Sequence, residues 1–68
     1  MNATSCSYDH QVIMVKGKQA RLVWLPNTFL YEDRGWVQEE DLGPISVANA
    51  IDRVHAFATK QGMMVLTD

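Results

Sequence analysis

The side chains that could do chemistry are few and scattered. Cys6 and Ser46 are nucleophile types, His10 and His55 are possible general bases or metal ligands, and Glu32, Asp33, Glu39, Glu40 and Asp41 make an acid-rich stretch. A zinc site needs three or four ligands at a recognisable spacing. Cys6 and His10 lie close together near the start of the chain with nothing to complete such a set, and His55 has Ile51 and Thr59 one helical turn away on either side. The acidic stretch lacks the alternating ligands around a central glycine that define a calcium loop. No G-x-S-x-G turn, phosphate-cradling glycine loop or G-x-G-x-x-G fingerprint occurs. A substrate cavity of roughly 300 Å³ or more is also a large demand on so short a chain. The expectation is a non-enzymatic protein with no catalytic residues, metal or cofactor.

Aromatic residues offer a different chemistry. Trp24, Phe29, Tyr31 and Trp36 fall close together, just ahead of Glu39, Glu40 and Asp41. Aromatic anchors with a charged rim match the composition of protein–protein interfaces. These seven residues are the expected partner-binding set, with the three acids favouring a basic protein partner. Two other functions fit the same residues. One is a small-ligand-binding protein with a pocket at a subunit interface, Trp36 as stacking wall and His55 as polar handle. The other is an acidic inhibitor or antitoxin-like protein that blocks a basic partner, a reading weakened by Arg34 within the acidic stretch.

The elements that must position these residues follow from periodicity and punctuation. "GPISVANAIDRVHAFATKQG", residues 43–62, has a start signal, a sided interior and a stop signal. Ser46 is a natural N-cap, Lys60 suits the negative end of the macrodipole, and Gly62 suits the left-handed residue after the helix. The spacing predicts a helix over about 47–61, with Val47, Ala50, Ile51, Val54, Phe57 and Ala58 on one stripe. Before it, "HQVIMVKGKQARLVWL" reads as a hairpin turning at Gly17, with strands at about 10–16 and 19–25. Ala20, Leu22 and Trp24 share one face of its second strand; Arg21, Val23 and Leu25 share the other. Thr28–Tyr31 and residues 36–39 have strand-forming types around Glu32–Gly35 and predict a second hairpin, while residues 39–41 read as too acidic to continue in a sheet. "MMVLT" predicts a last strand at about 63–67.

The expected fold is therefore a small two-layer α+β domain: an antiparallel-rich sheet of four to five strands with one helix packed on one face. Residues 1–8 read as a flexible N-terminal tail and 9–68 as the single domain. Both faces of the first hairpin are apolar, and one helix can cover only one of them. A homodimer formed through the other face is the expected answer. In 68 residues a lone core is marginal, and 47% hydrophobic residues suits association equally well.

Charge and composition narrow the setting. With a net charge of −2 and six dispersed basic residues, direct nucleic-acid binding is not expected. No apolar run approaches the roughly 18 residues that span a bilayer, and the first ten residues lack the pattern of a signal peptide. A single cysteine suits a reducing compartment, so the expected location is cytoplasmic, away from the membrane.

Overall fold

The computed structural model describes residues 8–66, as a small α+β domain with a four-stranded mixed sheet and two helices. The expected tail falls almost wholly outside the described residues; Tyr8 and Asp9 are exposed and belong to no helix or strand.

Strands β1 (His10–Lys16) and β2 (Gln19–Trp24) form the predicted antiparallel hairpin, one residue shorter at its far end than expected. Lys16 pairs with Gln19 across a two-residue turn, and Gly17 sits first in that turn at φ 60. A glycine there suits a type II′ turn, whose twist matches that of the strands it joins. The chain then makes a single 3₁₀ turn at Leu25–Asn27 and enters a short helix α1 (Thr28–Glu32). Strand β3 (Val37–Pro44) follows, then helix α2 (Val47–Gln61) and strand β4 (Met64–Val65).

The strand order is β3-β1-β2-β4. β3 is antiparallel to β1, which is antiparallel to β2, and β4 is parallel to β2. β3 and β4 therefore run in the same direction on opposite edges. Parallel strands need a crossover, and α2 supplies it. Its caps are as expected: the Asn49 N–H donates to Ser46 Oγ at 3.2 Å, and Gly62 closes the helix at φ 68.

Alternation along β1 and β2 creates two cores. Ile13 and Ala20 pack with Val54 and Ala58 of α2 on one side of the sheet. Val12, Met14 and Val23 pack with Trp36 on the other, joined by Leu25, Tyr31 and Leu66. On α2 the buried line is Ala50, Val54 and Ala58, with Phe57 half-buried. Val47 and Ile51, expected on the buried stripe, are exposed. The small residues at four-residue spacing let the helix lie along one line and leave that flank out.

Three expectations need correction. Thr28–Tyr31 is helix α1, not a strand. Pro26 pre-sets the backbone for a helical opening, and Thr28 Oγ1 donates back to the Leu25 carbonyl at 3.0 Å. The helix turns Thr28 and Tyr31 towards the sheet and leaves Phe29 outside, where a strand would have put Phe29 and Tyr31 on one face. Second, the strand expected at 36–39 begins at Val37 and continues to Pro44, straight through Glu39, Glu40 and Asp41. Among the described residues β3 is an edge strand with only β1 beside it, and its carboxylates are exposed or half-exposed. Third, the last strand is only Met64–Val65; of the expected range, residue 67 lies outside the described residues.

Candidate functional site

The four aromatic residues expected to bind a partner separate into two groups, one packed inside and one on the surface. Trp36 is only 8% exposed and lies in the core between α1 and the sheet. The turn at Asp33–Gly35 brings it there: Gly35 takes φ 95, and the Trp36 N–H donates to the Tyr31 carbonyl at 3.0 Å. The Tyr31 and Trp36 rings meet edge to face, 6.4 Å between centroids at 89°. Arg21, itself buried, lays its guanidinium 4.4 Å from the Tyr31 ring centre and 5.6 Å from that of Trp36. Its Nη2 donates to Tyr31 Oη at 3.2 Å. This stack packs α1 against the sheet, with Trp36 buried and Tyr31 half-buried within it.

Trp24 and Phe29 remain on the surface. Trp24 ends β2 at 47% exposure, and Phe29 on α1 is 62% exposed, with Leu30 beside it at 49%. Leu30 was not anticipated; assigning residues 28–31 to a strand concealed it, since helical geometry is what turns the 29–30 pair outward.

The three acids of β3 differ from one another. Glu40 is half-buried and accepts from Arg53 Nη2 at 3.0 Å. Asp41 accepts from the Gly43 N–H at 2.9 Å and contacts His10 Nε2. The Gly43 N–H first, and His10 second, hold the Asp41 carboxyl below its usual range. Glu39 is exposed and is the extra residue at a register shift against β1, as Leu42 is at a second shift. These shifts are β-bulges, which bend and twist an edge strand.

Glu39 and Glu40 line a groove of about 390 Å³ whose other wall is α2, through Arg53, Phe57, Lys60 and Gln61. Their spacing of one and two helical turns marks a flank next to the buried line, and that is the sequence signal for the groove. Within the chain Trp36 and His55 do not meet: His55 is exposed on α2, and Trp36 packs on the opposite side of the sheet. Among the described residues, no three His, Cys, Asp or Glu side chains cluster as metal ligands, and no helix is long and apolar enough to cross a membrane.

The sheet face that motivated a homodimer is covered by the chain itself, through α1 and Trp36. Comparison with protein-family models, curated proteins and solved structures gives no match.

Proposed function

We propose that this chain is a non-enzymatic interaction protein that binds a partner through the outer surface of α1. The observation that carries the reading is the Phe29–Leu30 pair: two adjacent large apolar side chains, 62% and 49% exposed, on a helix fixed from behind. Isolated exposed apolar residues are ordinary. Here the backbone beneath the pair is already ordered by the packing of α1 on the sheet, which lowers the cost of binding, and aromatic residues are enriched at interfaces. The Arg21–Tyr31–Trp36 stack supports the reading, because it holds α1 without using Phe29. The reading takes the binding to be cytoplasmic, in keeping with the single cysteine.

The test is retention of proteins from lysate on the immobilised wild type, on a Phe29→Ser/Leu30→Ser double variant, and on Met64→Ser as an exposed apolar control. Far-ultraviolet circular dichroism of all three establishes that they are folded. The expected result is a discrete protein retained by the wild type and by Met64→Ser and lost by the double variant. Identical retention on all three surfaces would remove the proposal.

A further inference from the structure

We infer that the groove between β3 and α2 binds a small zwitterion, a free α-amino acid with an apolar side chain, its ammonium held by Glu39 and its carboxylate by Lys60. The inference goes beyond the α1 surface and is independent of it, because α1 and α2 pack on opposite sides of the sheet.

Charge selects the ligand class. Glu39 and Glu40 stand on the β3 wall of the groove and Arg53 and Lys60 on the α2 wall, so the lining carries no net charge. Glu40 and Arg53 neutralise each other at 3.0 Å. Glu39 and Lys60 do not pair with each other: among the described residues, neither side chain makes an ion pair or hydrogen bond. One uncompensated charge is therefore left on each wall, negative on β3 and positive on α2. A simple cation drawn to Glu39 also meets Arg53 and Lys60, and a simple anion drawn to Lys60 also meets Glu39 and Glu40. Like charges brought together are penalised. A ligand that carries both charges satisfies both walls at once.

Size and apolar surface supply the rest. A volume of about 390 Å³ lies at the lower end of the range of small-molecule sites, roughly 300–1,000 Å³, and suits a single amino acid better than a longer peptide. Phe57 is one helical turn from both Arg53 and Lys60, so all three share a flank of α2. Its half-buried ring is the apolar surface on which the ligand's side chain would lie. The charged groups are exposed or half-exposed, which keeps the affinity modest, on the order of 0.1–1 mM. Glu39 and Lys60 can be changed without touching the core.

The probe is L-phenylalanine, titrated to about 10 mM against the isotope-labelled full chain while amide chemical shifts are followed. Its companions are phenethylamine, the same skeleton without the carboxylate, and phenylpropionate, the same skeleton without the ammonium. L-Phenylalanine should give saturating shifts centred on residues 39–40 and 53–61, and both companions should bind about threefold to fivefold more weakly. Glu39→Gln and Lys60→Gln should each weaken phenylalanine binding by a similar factor. Arg34→Gln, which removes an exposed cation at the turn after α1, should leave it unchanged. No saturating shifts, or shifts centred outside the groove, would overturn the site. Equal binding of either companion, or undiminished binding by either the Glu39 or the Lys60 variant, would overturn recognition of a zwitterion.

Discussion

Replacing Trp36 with alanine should cost this chain a large part of its stability, whereas replacing Phe29 should cost almost nothing. A Trp side chain buries on the order of 150–250 Å², and Trp36 is 8% exposed. At about 25 cal/mol per Å² that is roughly 4–6 kcal/mol, an upper bound because the unfolded chain already hides some apolar surface. Measured large-to-small aromatic changes run about 3–5 kcal/mol. The edge-on contact with Tyr31 is lost as well, and Arg21 keeps only one of its two rings. A domain of this length has a total stability of about 3–10 kcal/mol, so Trp36→Ala should be marginally folded or unfolded. In urea, with a slope near 1 kcal/mol/M for so small a protein, the midpoint should fall by about 3 M. Phe29→Ala should move it by less than about 0.5 M, since surface changes stay within about 0.5 kcal/mol. Circular dichroism at increasing urea measures both. Trp36→Phe, which keeps a ring beside Tyr31, should be intermediate. If Trp36→Ala shifts the midpoint no more than Phe29→Ala does, the burial of Trp36 and the packing of α1 are wrong.

Ser46→Ala removes the acceptor for the Asn49 N–H and should cost ~1 kcal/mol, lowering Tm by about 4–8 °C; an unchanged Tm would mean that Ser46 does not cap α2. Val54→Asp should abolish folding by burying an unpaired charge at the centre of the α2 core, while Asp52→Ala on the exposed side should be nearly neutral in the same melt. The carboxyl of Asp41 is held below its usual range in the folded chain, so its contribution is present above its unfolded pKa and lost as pH falls through the folded value. The stability difference between wild type and Asp41→Asn should accordingly shrink on acidification through the carboxylate range. A difference independent of pH would rule out the contacts with Gly43 and His10.

Local chemistry decided which elements could be read from sequence. Helix α2 is legible from end to end because Ser46, Lys60 and Gly62 are terminal signals that need no tertiary partner. The β1–β2 hairpin is legible because Gly17 and the alternation on either side agree. Thr28–Glu32 is different. Five residues are too few to show a helical period, and Thr, Phe and Tyr have strand-forming types. What decides that segment is non-local: Tyr31 and Trp36 close over Val12, Met14 and Val23, and Arg21 from β2 stacks on both rings. The same contact covers, within the chain, the apolar sheet face formed by Val12, Met14 and Val23. The acids of β3 misled in the opposite way. A carboxylate run argues against a buried strand, but an edge strand keeps such residues wet, and sequence alone does not say which strand is at the edge. Glu39 and Glu40 were expected to face a partner and do line a groove; its α2 wall of Arg53, Phe57 and Lys60 becomes visible only when the helix lies beside β3.

Photo-crosslinking from α1 tests the central claim most directly. A benzophenone-bearing residue at position 29, in the otherwise unchanged chain, is compared with the same residue at position 55, also exposed but on α2. The account predicts one discrete adduct from position 29, suppressed by an excess of unlabelled wild type but not of the Phe29→Ser/Leu30→Ser variant, and no matching adduct from position 55. No adduct from position 29, or the same adducts from both positions, would contradict it.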